Sequence, residues 1–185
     1  CNPKGRFNPS FSRLSWRTDK TNKNDMEWTE ILKLIHYDPK TGVFTRLVNM
    51  APNARIGDIL GTDNGKGYLK FRIYKKKYYA HRVAWLYMTG KWPKHDIDHI
   101  NGNSLDNRWE NLRDVTTVVN CQNRRVASKN QLSTGLLGSY EDHGRFKAMI
   151  QVDRKPIYLG MYATAQEAHA AYLDAKRKLH EGCTI

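Results

Sequence analysis

The sequence predicts an α+β protein made of two small units joined by a polar segment, and three observations carry that prediction. Residues 67–73 alternate, with Tyr68, Lys70 and Arg72 set against Leu69, Phe71 and Ile73, which is the period-two pattern of a half-exposed strand. Three more strand patterns, near 136–141, 145–152 and 156–162, run into one helix from about Ala165 to Leu179. Between the two regions, residues 125–134 are polar and lack apolar periodicity, so they read as a linker.

The elements follow in chain order. Residues 1–25, rich in Asn, Ser, Lys and Arg, read as a flexible basic arm. From Met26 onward, Trp28, Ile31, Leu32 and Ile35 recur at helical spacing and stop before the turn Tyr37-Asp38-Pro39-Lys40-Thr41-Gly42. Val43 to Leu47 reads as a strand, and Gly57 and Gly61 punctuate a loop. After the strand over 67–73, Lys75-Lys76-Lys77 reads as a turn. A helix then runs from about Arg82 to Thr89 and is ended by Gly90 and Pro93. In the final helix Thr164 is the expected N-cap, with Glu167 three residues on at capping-box spacing. The expected boundaries are the arm 1–25, a first unit 26–124, the linker 125–134 and a second unit 135–182.

Charge narrows the partner. The 185 residues hold 31 Lys and Arg against 18 Asp and Glu, a formal net charge of +13. So large a surplus on a small chain points to a polyanion, and nucleic acid is the commonest one. An anionic membrane fits less well, because no long basic amphipathic helix accompanies the charge. No run approaches ~18 consecutive apolar residues, so no helical membrane span is expected. Cys1, Cys121 and Cys183 are far apart and form no CxxC pair. Neither a zinc knuckle nor a disulfide framework is indicated, and a reducing, intracellular setting fits. An RNA-binding protein fits the charge, but no RNP-like aromatic strand or GXXG-type loop is present.

The chemistry is concentrated in Ile97-Asp98-His99-Ile100-Asn101-Gly102-Asn103, followed by Asn107, Glu110-Asn111-Leu112-Arg113 and Thr116 to Asn123. Cutting a phosphodiester requires deprotonated water, stabilisation of the extra charge on phosphorus and neutralisation of the leaving 3′ oxygen. One histidine can do the first, and one hard divalent cation with oxygen ligands much of the rest. Neighbours on a flat strand point to opposite faces, so a twist or strand end must bring Asp98 and His99 to one phosphate. The run His95-Asp96-Ile97-Asp98-His99 has neither a thiolate partner nor helical i,i+4 spacing for zinc. His81 is read as packing at a helix start; His36, His95, His143, His169 and His180 as surface or packing residues.

The stretch from Tyr79-Ala80-His81-Arg82 through Trp85-Leu86, Gly90, Trp92-Pro93, Ile97 to Gly102, Asn107-Arg108 and Glu110 to Arg113, then Asn120 and Asn123, resembles the HNH endonucleases of phages and mobile introns. The resemblance implies a ββα-metal module, a hairpin and helix holding one divalent ion. It makes His99 the general base and Asp98 a metal ligand. Asn111, twelve residues after His99, would brace the loop and orient the histidine. Asn120, twenty-one residues after His99, would supply a second ligand through its carbonyl oxygen. An amide oxygen is a hard ligand, which favours Mg2+ or Mn2+ over zinc. Arg82 and Arg113 are candidate phosphate clamps. The resemblance implies a homing-type enzyme of a phage or mobile element, acting on double-stranded DNA in a bacterial cytoplasm. The alternative is a DNA-binding regulator with a catalytically idle HNH fold.

From about Gly135 the chain resembles AP2-type DNA-binding domains, through Gly138, Phe146-Lys147-Ala148, Ile150, Ile157 to Tyr162, Thr164 and the helix Glu167 to Tyr172. In that family a three-stranded sheet enters the major groove and the helix packs behind it. Phe146 stands where the family usually has tryptophan, and Met149 where a basic reader is common. Base readout is therefore expected from Arg145, Gln151, Arg154 and Tyr158, with Lys147 and Lys155 on phosphates. No obligate protein partner is indicated.

Overall fold

A computed structural model of the chain describes residues 28–65, 67–127 and 134–185. The basic arm at 1–25 and most of the expected linker lie outside the described residues. Helix α1 (Trp28–Leu34) is followed by strands β1 (Ile35–Tyr37) and β2 (Phe44–Arg46), then β3 (Ile59–Leu60) and β4 (Thr62–Asp63). Strands β5 (Leu69–Ile73) and β6 (Lys76–Tyr79) lead into helix α2 (Ala80–Thr89). Next come β7 (Asp96–His99), a single 3₁₀ turn at Trp109–Asn111, β8 (Leu112–Val115) and helix α3 (Thr117–Gln122). The last unit holds β9 (Ser139–Asp142), β10 (Arg145–Val152), β11 (Lys155–Tyr162) and α4 (Ala165–Leu179).

The first helix ends one residue before its apolar spacing predicts. Ile35 leaves the helical pattern to pair with Arg46 across β1–β2, because its side chain reaches the same core from the strand. Two strands, β3 and β4, fall in the stretch read as a loop; at two residues each they leave no period to detect. The expected lysine turn is displaced by one position. Tyr74 takes the left-handed conformation at φ 50, while Lys76 and Lys77 already pair with Ile73 and Arg72.

One core joins these small sheets. Ile31, Tyr37, Phe44, Phe71, Val83 and Ile97 are all buried in it, so α1, the β1–β2 hairpin, β5, α2 and β7 share a single apolar interior. The rings of Tyr37 and Phe44 stack at 4.6 Å between centroids, and Phe44 meets Phe71 at 5.2 Å. Helix α2 packs its Ala80, Val83, Ala84 and Leu86 inward and ends at Gly90 (φ 71), whose N–H returns to Leu86 O. β7 and β8 pair antiparallel with Asp98 opposite Arg113, and α3 lies against β7, giving a β-β-α order from 96 to 122.

In the C-terminal unit the three strands run in the order β11-β10-β9, and α4 packs on all of them. Ala148, Ile150 and Ala168 are buried between sheet and helix, the face expected from alternation. Thr164 accepts from Glu167 N while Glu167 accepts from Thr164 N, the full capping box.

The N-terminal hairpin is clamped to the loop that precedes β8. Gly42 sits at φ +75, and a Cβ there would lie 2.6 Å from both Arg108 N and Asn107 C. Tyr37 OH donates to Asn107 O at 2.6 Å, and Trp109 N donates to Pro39 O. Gly42→Ala therefore meets both left-handed strain and a backbone clash. We expect a loss of about 1–3 kcal/mol or more, measured as a lower urea midpoint with unchanged slope.

Candidate active site

Asp98 and His99 lie at the end of β7, and both are 5% exposed. Neighbours on one strand, they nevertheless line the same open cleft of about 360 Å³, with Tyr68, Asn120, Asn123 and Arg124 around them. The strand ends at His99, and the chain turns back at Gly102, whose N–H donates to His99 O.

The Asp98 carboxylate is buried, so its charge needs partners. Arg113, opposite it in the β7–β8 register, supplies an ion pair, with Nε 2.9 Å and Nη2 2.7 Å from Oδ2. Asn123, just past the end of α3, donates from Nδ2 to Oδ1 and Oδ2 at 3.1 Å and to His99 O at 2.9 Å. Oδ1 therefore accepts from Asn123 alone among the described residues and keeps lone-pair capacity.

His99 is held in a mostly apolar and aromatic surround. Its ring lies 5.3 Å from that of His81, edge to face, and 6.2 Å from that of Tyr68. Burial pushes its pKa below the ordinary histidine value; the Asn107 hydrogen bond and the Asp98 charge oppose that shift without cancelling it. The imidazole is therefore neutral near pH 7 and has a lone pair to offer. Asn107 Nδ2 donates to Leu105 O, which turns Oδ1 toward His99 Nε2 at a long 3.4 Å. An amide oxygen only accepts, so Nε2 is the protonated nitrogen in that contact and the lone pair sits on Nδ1.

The loop between β7 and β8 is a lattice of short polar side chains. Asn111 Oδ1 accepts from Asn101 N at 2.8 Å, and its Nδ2 donates to Asp106 O at 2.8 Å. Asn101 in turn donates to Asp106 Oδ2 and accepts from Asn103 N. Asp106 is held at a pKa of about 2, chiefly by its hydrogen bonds from Arg108, so the lattice stays charged at neutral pH. Asn111 thus ties Asn101 to Asp106 within the loop, while the side chain that touches the histidine is Asn107.

The other expected site residues are placed as follows. Asn120 lines the cleft one turn before Asn123 on the same helix. Arg113 is turned onto Asp98 and Gly182 O rather than outward, and Arg82 is half-buried with Nη1 3.3 Å from His95 O. Arg145, Gln151, Arg154, Lys155 and Tyr158 are exposed. Register puts Met149 beside Tyr158 and Gln151 beside Pro156, so Arg145, Lys147, Gln151 and Tyr158 share the sheet face opposite α4. Lys147 also lies 3.7 Å from Asp142, and Arg154 sits in the β10–β11 turn at φ 65. Asn123 and Arg124 were given no role from the sequence; the three-residue step from Asn120 to Asn123 on one helix is the signal that places both amides together.

The donor set suits a hard cation. Asp98 and Asn120 both line the cleft, and no cluster of three or more His, Cys, Asp or Glu suited to a metal occurs among the described residues. That falls short of the three or four nitrogen and sulfur donors typical of zinc. Oxygen donors of this kind suit a divalent cation.

Residues 78–120, from β6 into α3, match the family model described as HNH endonuclease. Comparison with curated proteins finds no match. The family match supports an HNH nuclease domain here, acting on nucleic acid. No helix among the described residues is long and apolar enough to cross a membrane.

His81 is 8% exposed, its Nδ1 has no hydrogen-bond partner among the described residues, and burial pushes its pKa down to about 3. Its folded value lies below its unfolded one, so it leaves stability untouched above about pH 6.5 and costs about 1.4 kcal/mol per pH unit below that, down to its folded pKa. In urea titrations from pH 7 to pH 4, His81→Gln should show a shallower loss of stability than wild type.

Proposed function

We propose that the chain is a metal-dependent endonuclease that hydrolyses phosphodiester bonds of double-stranded DNA at a recognised site. The observation that carries this is that a neutral, buried His99 and a buried Asp98 both line one cavity. His99 Nδ1 takes a proton from the attacking water. Asp98 and Asn120 would hold a divalent cation, Mg2+ or Mn2+, through their oxygens. When bound, such an ion supplies positive charge to the phosphorane and to the leaving oxygen. Arg124, exposed at the cleft, and Arg82 meet flanking phosphates in this proposal, whereas Arg113 holds Asp98.

The C-terminal sheet reads the target in this proposal, in the manner of an AP2-type domain. Arg145, Gln151 and Tyr158 face away from α4 toward bases, Arg154 reaches from the hairpin turn, and Lys147 and Lys155 take phosphates. The basic outer face of β5, with Lys70 and Arg72, extends the charged surface next to Tyr68. A cutter with its own reader suits a homing-type enzyme of a phage or mobile element, working in a bacterial cytoplasm.

One observation favours the second reading, a regulator with an idle site: Asp98 already has two protein partners. Against it, Oδ1 accepts from Asn123 alone. A plasmid-nicking assay separates the two. We expect cleavage in Mg2+, none in EDTA, and a loss of about 10²–10⁴-fold in rate for His99→Ala with duplex affinity retained. Near wild-type cutting by that variant would sink the mechanism, and no cutting by wild type with tight duplex binding would favour the regulator. Gln151→Ala together with Arg145→Ala should weaken binding to the preferred site by about 1–3 kcal/mol per lost base contact. Random duplex should be affected less, as read by competition binding.

A further inference from the structure

We propose that residues 182–184, which leave α4 and return to the nuclease unit, are positioning residues for Asp98. They hold the two side chains that hold its carboxylate. This rests on the reading of Asp98 as a cation ligand.

Both partners of Asp98 are themselves tied to this tail. Arg113 Nη2, while paired with Asp98, donates to Gly182 O at 2.8 Å. Asn123 Oδ1 lies 2.5 Å from Thr184 Oγ1, which is also 2.6 Å from Ile100 O and accepts from Arg125 Nη2 at 2.8 Å. The amide of Asn123 has one donor end and one acceptor end. Its donor end must face the anionic Asp98, so the buried acceptor end needs a donor from elsewhere, and the Thr184 hydroxyl, whose single proton is shared between Asn123 Oδ1 and Ile100 O, is the donor in reach.

The tail is seated rather than draped. Gly182 N donates to Gln122 Oε1 at 2.9 Å, and a Cβ on Gly182 would lie 2.1 Å from Val119 O. Lys176, 1% exposed on α4, donates from Nζ to Arg124 O at 2.5 Å. The helix that covers the candidate reader sheet is therefore continuous with a strap that ends on the partners of the candidate metal ligand. Residues bonded directly to a ligand, as Arg113 and Asn123 are to Asp98, typically change metal affinity by about 10–100-fold when lost, so Thr184, one bond further out, acts at the lower end of that range.

The test uses the full chain in a His99→Ala background, so that bound duplex stays intact. Mn2+ affinity is followed by electron paramagnetic resonance of the free ion. Thr184→Val keeps the side-chain shape and removes the hydroxyl; it should weaken Mn2+ binding by roughly tenfold, with duplex affinity in EDTA and melting temperature close to the parent. Thr184→Ser should restore the affinity. If Thr184→Val folds poorly, Arg125→Ala, which releases the same hydroxyl from the exposed side, should weaken Mn2+ binding less steeply. Parent-like Mn2+ affinity in the folded Thr184 or Arg125 variant, while Asp98→Ala abolishes binding, overturns the strap alone. Absence of Asp98-dependent Mn2+ binding in the parent overturns the cation reading, and the strap with it.

Discussion

A single buried carboxylate sets the terms for the centre of this molecule. Asp98 is almost wholly removed from water, and an ionised group in that position must be met by opposite charge and by hydrogen bonds. Arg113 can meet it only if β8 pairs with β7 in the observed register, and Asn123 only if α3 ends where it does. Removing one partner of such a pair costs about 3–5 kcal/mol, because the other charge is left behind. Hairpin register, helix length and site geometry are thus different views of one electrostatic requirement.

The histidine next door obeys the opposite rule. His99 is buried among rings and kept neutral, while Asn107 fixes which nitrogen bears the proton. Asn107 is in turn fixed by Leu105 O, and its own carbonyl by Tyr37 OH from the N-terminal sheet. A small β-rich extension therefore reaches the base through two hydrogen bonds. Placing a charged acid and a neutral base side by side needs one wall of cations and amides and another of aromatic rings, and the cleft has both.

Much of this was legible in the residue order because it is local. The capping box at Thr164 and Glu167, the stop at Gly90 and the alternation along β5 and β10 each depend on neighbours within a turn or a strand. The pair Asp98-His99 and the bracing role of Asn111 were legible through their spacing. Ile35 was not, since its strand pairing with Arg46 overrides a helical spacing that it also satisfies. Nor were the contact of Asn107 with His99, or the turning of Arg113 inward, because both are decided by packing across the hairpin. The contact of Thr184 with Asn123 spans 61 positions and leaves no periodic trace.

The expected C-terminal unit stops at residue 182, yet the chain beyond α4 closes onto α3 and β8. Modular enzymes of this kind invite exchange of one recognition unit for another at a linker. Here such an exchange cut at residue 182 would take away part of the nuclease unit's own packing along with the reader. A graft that respects the physics would keep Gly182 to Ile185 with the nuclease and join the new unit upstream of the tail, so the boundary visible in composition is not the boundary along which this protein can be taken apart.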